Sequence, residues 1–227
     1  MEINIKSVEQ FNNLLKALAG DIVDGELYFK LYKDINNSIS QYHREFNQSR
    51  TFWSLARKAL IDATLLRLCR VYDTTEVSLS IRNLLDTISA NIHIFDVESF
   101  RDRLKDNPFV ESLASTAVKP DINILNQDIE TVIDKNPSIK KLIIWRHNII
   151  AHTTASNIVN NVNISKKYII TYDDISELLS RATTLLNKYS KLFNASTYST
   201  QAVGYDDYLD VLNAVKFKLD VIKLLAK

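Results

Sequence analysis

Three glycines and three prolines among 227 residues leave this chain few places to turn sharply. Glycine supplies left-handed backbone and proline supplies preset bends. Their scarcity predicts long helices with few tight turns between them. Hydrophobic residues make up 46% of the chain, enough at this length to bury a core as one domain.

Apolar periodicity and capping signals divide the chain into helices. A capping-box pattern at Ser7 to Gln10 opens the first, which is expected to end near Gly20. A second runs from about Asp24 to Phe46, with Leu27, Leu31, Ile35 and Ile39 recurring every four residues. The third, Phe52 to Tyr72, carries Trp53, Ala56, Leu60, Ala63 and Leu66 on one face, widened by Leu68 and Val71. It is apolar over much of its circumference, which places it centrally. After a break at Asp73 to Glu76, Ser78 is read as the cap of a short helix over 79–90, and shorter helices follow over 96–104 and 121–134.

Asn136-Pro137 is a clean start signal, with asparagine as N-cap and proline in the first turn. The helix it opens should bury Ile139, Leu142, Ile143, Trp145, Ile149 and Ile150. Residues 156–172 show no helical stripe and read as an irregular loop or small hairpin. A capping box at Asp174 to Glu177 starts a helix to about Phe193, and a last one spans Tyr205 to about Leu225. The expected fold is an all-α bundle of about eight helices. It is read as a single domain over 1–227, with a C-terminal helical pair over 173–227.

Composition excludes several function classes. A formal net charge of +1 gives no global attraction to nucleic acid or anionic lipid, so such binding must come from a local patch. The lone cysteine, Cys69, rules out a disulfide framework within the chain and a Cys-rich zinc site, and it reads as a small core residue. His43 and His93 lack partners at metal-ligand spacing, and no phosphate-cradling glycine loop or nucleophile elbow occurs. Neither a metal nor a cofactor is expected. No leader pattern opens the chain, and no apolar run approaches the length of a membrane span. These features predict a soluble cytoplasmic protein without a membrane partner.

The candidate chemistry lies in the run Trp145-Arg-His-Asn-Ile-Ile-Ala-His152. Arg146 always carries charge and grips phosphate, and His152 exchanges a proton near neutral pH. Spacing alone decides nothing, since about one chain in six of this composition carries an Arg and a His six apart by accident. The context is more telling. Asn148 stands four residues before His152, on the same helical face, and is placed to orient its ring. Lys135, Lys140, Lys141, Arg146, Lys166 and Lys167 fall in a stretch without aspartate or glutamate, a local positive field suited to a polyanion. On an ideal helix Arg146 and His152 would stand about 9 Å apart in rise and about 120° around the axis. Acting together therefore requires the helix to end at the motif, or two chains to share a cleft across a two-fold axis. Upstream, Arg70 and Asp73 end the central helix; they either pair with each other or turn one side chain toward the motif. Trp53 and Trp145 read first as core residues and second as stacking platforms for bases.

The Arg146 to Thr153 run resembles the R-x(4–6)-H motif of the HEPN superfamily, with a polar residue after the arginine. Two further stretches, Phe52 to Asp62 and Leu66 to Asp73 with Ser78 to Ile81 beyond, are similar to the AbiU-like abortive-infection branch. Together these cover about residues 50–155. The resemblance implies a metal-independent endoribonuclease acting as a homodimer through the motif face. In it His152 would serve as acid and base and Arg146 would hold the scissile phosphate, with His147, Asn148, Arg70 and Asp73 in support. Lys140, Lys141, Lys166 and Lys167 would bind RNA, since such cleavage uses the 2′-hydroxyl. The implied setting is a prokaryotic toxin–antitoxin or phage-defence system, with an antitoxin such as a minimal nucleotidyltransferase as a possible partner. Some HEPN toxins carry a modifiable tyrosine two residues after the motif histidine; here that position is Thr154.

Overall fold

A computed structural model describes residues 1–150, 154–201 and 204–226. Twelve α-helices occur among the described residues, and no strand. The expected all-α fold is therefore present. The chain divides into two compact units, Met1–Val23 with Leu66–Tyr198, and Asp24–Leu65 with Ser199–Lys227.

Helix α1 spans Val8–Ser38 without a break, so the expected end at Gly20 does not occur. Its start follows the sequence signal, with Gln10 N donating to Ser7 Oγ at 3.2 Å. A helical glycine costs only about 1 kcal/mol relative to alanine. Phe11, Leu15, Leu18, Ala19 and Ile22, all buried along one stripe of the helix, outweigh that cost. Helix α2 is a short turn, His43–Gln48, and α3 spans Arg50–Val71. Both α1 and α3 run through the division between the units.

In the first unit, α4 (Ile81–Ala90) starts at Ser80, whose side chain accepts from Asn83 N, two residues later than the cap expected at Ser78. Helices α5 (Val97–Arg103) and α6 (Val110–Ala114) are short, and α7 (Ile122–Thr131) is capped by Asp121. Helix α8 spans Pro137–Trp145. The 156–172 stretch contains no hairpin; it holds two short helices, α9 (Ala155–Val159) and α10 (Ile164–Lys167). Helix α11 spans Tyr172–Asn194, and its capping box is built by Thr171 and Asp174, one turn before the box expected at Asp174 and Glu177.

The core of this unit gathers the α1 stripe with Leu68 of α3 and Tyr72 just after it, Leu84, Leu85 and Ile88 of α4, and Leu178, Ala182, Leu186 and Phe193 of α11. Phe11, Phe95 and Phe193 meet edge to face with ring centroids 4.7–5.7 Å apart, the arrangement favoured by the ring quadrupoles. The Tyr72 hydroxyl donates to Leu178 O at 2.7 Å, and burial pushes its pKa well above the usual phenol range.

The second unit holds the latter part of α1, α2, the first part of α3, and α12 (Tyr208–Leu225). Of the two C-terminal helices, α11 thus belongs to the first unit and α12 to the second. Ile35, Tyr42, Phe46, Trp53 and Leu212 form its core, and Tyr42 Oη donates to Asn213 Oδ1 at 3.0 Å. Trp53 is a core residue, edge to face with Phe46 at 4.9 Å. The expected central position of α3 holds only in part. Ala56, Leu60 and Ala63 line an open apolar groove of 610 Å³ together with Leu31 and Val211, while Phe52, Leu55 and Leu66 are exposed.

Candidate functional site around Arg146

Helix α8 is fixed at its start and along one face. Asn136 Oδ1 accepts from Ser138 N at 2.9 Å and from Ile139 N at 3.2 Å, and Pro137 occupies the first turn, satisfying amides the helix itself leaves unpaired. Ile139 and Leu142 are fully buried. Across to α11, Lys141 Nζ lies 2.9 Å and 3.0 Å from the Asp174 carboxylate oxygens, and Ser138 Oγ donates to Asp174 and Glu177. Burial alone would raise the pKa of Asp174. The hydrogen bonds from the Thr171 backbone and from Lys141, Ser138 and Thr171 side chains prevail and hold it at about 2.

The α-helix ends where the motif begins. Residues Arg146–Ile150 form a π-helical turn, a rare element that concentrates at functional sites. Ile149, expected on the buried face, is 39% exposed because the wider turn rotates it out. Trp145, the last residue of α8, donates its indole N–H to Tyr168 O.

Arg146 Nη1 donates to Asp73 Oδ1 at 2.6 Å, and the two side chains are only 25% and 12% exposed. Asp73 follows the end of α3 and is itself held, its Oδ1 accepting from Thr75 N at 2.8 Å. Beside it, Cys69 is buried, and desolvation pushes its thiol up to about 12; the Arg146 charge lowers it and the Asp73 charge raises it. Arg70 turns away from the expected partner Asp73, its Nε lying 3.2 Å from Asp21 Oδ2. Asp21 on α1 is 6% exposed and also binds Arg67. Asp21, Arg70 and Asp73 line a cavity of 200 Å³ with Ser78.

Asn148 braces the π turn. Its Nδ2 donates to Ile144 O at 2.8 Å, and its Oδ1 accepts from Thr154 Oγ1 at 3.1 Å and Asn157 Nδ2 at 2.8 Å. The His147 side chain is exposed. His152 lies outside the described residues, and with it the Arg146 to His152 separation and the expected contact from Asn148.

The lysines divide. Lys140, Lys166 and Lys167 are exposed, and no carboxylate pairs with them among the described residues. Lys141 is committed to Asp174 and is half-buried. The acid-free stretch is therefore not acid-free in space, since Asp73 and Asp174 reach it from other elements. Asp62 pairs with Lys58 on the surface of α3. Sequence reasoning missed Asp21 because the expected helix end at Gly20 set it in a turn; a helix continued through Gly20 puts Asp21 four residues after Ala17, on the side that meets Arg67 and Arg70. Among the described residues, no group of three or more His, Cys, Asp or Glu side chains is placed to hold a metal ion.

A helical bundle with an Arg-bearing turn late in the chain is consistent with the HEPN-type fold. The family model HEPN_AbiU2, described as AbiU2, matches residues 9–214, and the chain belongs to that family. It is thus a HEPN-type protein associated with abortive infection. No curated protein and no solved structure matches the chain. No helix among the described residues is long and apolar enough to cross a membrane.

Proposed function

We propose that the chain is a metal-independent endoribonuclease of a toxin–antitoxin or abortive-infection system, working as a homodimer through its motif face. The observation that carries this reading is how Arg146 is held. A guanidinium has five N–H donors, and Asp73 takes one. The side chain is thereby fixed in direction while keeping donors for a phosphate. A preset cation of this kind stabilises charge that builds on a phosphoryl group without reorganising during the reaction.

In the proposed reaction the ribose 2′-hydroxyl attacks the adjacent phosphorus and the bond to the 5′-oxygen breaks. His152 accepts the 2′-hydroxyl proton, and the imidazolium protonates the leaving 5′-oxygen. The products are a 2′,3′-cyclic phosphate and a 5′-hydroxyl. Lys140, Lys166 and Lys167 supply exposed positive charge for flanking phosphates. Thr154 replaces the modifiable tyrosine, so a nucleotidyltransferase antitoxin would have to neutralise the site at another residue.

The purified chain is expected to cut RNA in EDTA and leave cyclic phosphate ends. Arg146→Ala and His152→Ala are each expected to lower the rate by at least about a hundredfold with circular dichroism unchanged. Full activity in either folded variant would overturn the assignment. The charge compensation at Lys141 and Arg146 favours a second reading, a silent module that binds RNA or a partner protein. That module would bind RNA equally well with and without His152→Ala and would cut nothing.

A further inference from the structure

Beside the π turn lies a cleft of 460 Å³ whose described lining carries no charged side chain. Trp145, Asn148 and Ile149 form one wall, and the α9 to α10 segment closes it with Asn157, Asn161 and Asn163. We infer that this cleft is a nucleobase subsite, which takes one unpaired base of a single-stranded RNA. The inference rests on the RNA-cleavage reading for its choice of ligand.

The chemistry of the lining selects that class. A cleft whose described lining is uncharged, with an aromatic and aliphatic floor, favours a flat, neutral, partly apolar ligand. Side-chain amides carry donors and acceptors together, which matches the mixed edges of bases. Among the described residues, the Asn161 amide, the Asn163 Nδ2 and the Asn157 Oδ1 have no protein partner, so they are available to such an edge. Trp145 is held in place by its bond to Tyr168 O, and Asn157 by its bond to Asn148. Both are therefore preset rather than ordered by the ligand, which lowers the entropic cost of binding.

Position selects it again. The turn that supplies Asn148 and Ile149 to the cleft also carries Arg146, and Lys166 and Lys167 follow Ser165 of the opposite wall. Residues of the cleft lining thus adjoin cations along the chain at both walls, a combination of base-sized cleft and nearby positive charge that suits a single strand.

The test uses the four ribonucleosides, which lack phosphate and cannot be cleaved, so that it reads the cleft and not the reaction. Each is titrated into the full chain, isotope-labelled, following the Trp145 indole N–H and the Asn157 side-chain amide by NMR. At least one nucleoside should give saturable shifts. Asn161→Gly, which removes an amide while keeping the left-handed backbone at φ 55°, should weaken it about three- to tenfold. Ile158→Trp, which fills the cleft from an exposed position, should abolish it. Saturable binding with these losses supports the subsite even if the chain cuts no RNA. The inference is overturned by an absence of saturable shifts up to about 10 mM, or by binding that both variants leave unchanged. Neither result touches the cleavage test at Arg146 and His152.

Discussion

The Asp73–Arg146 pair makes a quantitative claim about how the motif is held. With side chains 12% and 25% exposed, the pair lies between two regimes. A solvent-exposed pair contributes about 0–1 kcal/mol, whereas removing one partner of a fully buried pair costs about 3–5 kcal/mol. Partial exposure lets water reach a stranded guanidinium, which puts Asp73→Asn at about 1–3 kcal/mol. The asparagine retains an oxygen for Thr75 N, so the turn after α3 survives and the loss reports the charge pair. Arg146→Gln strands the carboxylate instead and should cost a similar amount. The double variant leaves neither charge stranded, so it should lose less than the sum of the singles, with a coupling of about 1–2 kcal/mol. Urea denaturation of the four proteins, compared at constant m, reads this directly. For a chain of this size the single variants should also melt about 3–10 °C lower. A coupling below about 0.5 kcal/mol, the scatter of independent sites, would refute the claim that Asp73 anchors Arg146.

Two further outcomes are expected. Asp174 is held at about 2 against an ordinary 3.8, so its contribution to stability is complete above about pH 4 and is lost as pH falls toward 2; Asp174→Asn should lower the urea midpoint at pH 7 and flatten the acid limb between pH 4 and 2, and an unchanged acid limb would count against the tie between α8 and α11. At Gly20 nothing lies within 4 Å of an added Cβ and the backbone is helical, so Gly20→Ala should stabilise by about 0.5–1 kcal/mol, measurable as a raised midpoint; destabilisation would contradict an unbroken α1.

The legible parts of the fold were those whose cause is local. Asn136-Pro137, Asp96 and Asp121 each announce a helix because the cap that satisfies the first amides is a near neighbour in sequence. The misread parts were decided at a distance. Gly20 ends a helix by propensity, yet burial of Leu15, Leu18 and Ile22 carries α1 through it. Residues 156–172 lack an apolar stripe because α9 and α10 bury no face, and stripes are what a sequence reveals. Helical geometry alone left two routes for Arg146 and His152 to act together, a helix that ends at the motif or a cleft shared by two chains; α8 gives way at Arg146 to a π turn. The partner of Arg146 did not follow, since nothing in the sequence near Arg70 and Asp73 tells which of them turns toward a residue far along the chain.

That long-range pairing changes what the positive stretch can do. Read along the chain, six cations without a carboxylate suggest an electrostatic funnel for RNA. In space Asp73 takes Arg146, Asp174 takes Lys141 and Glu130 takes Lys135, which leaves Lys140, Lys166 and Lys167 as the cations of the stretch without a carboxylate partner among the described residues. With a net charge of +1 behind them, bulk attraction contributes little. The compensated cations gain direction instead: Lys141 fixes α8 against α11, and Arg146 is aimed rather than merely attractive. Under the proposed reading, such a site would take one phosphate at Arg146 and one base in the neighbouring cleft, whose described lining carries no charge.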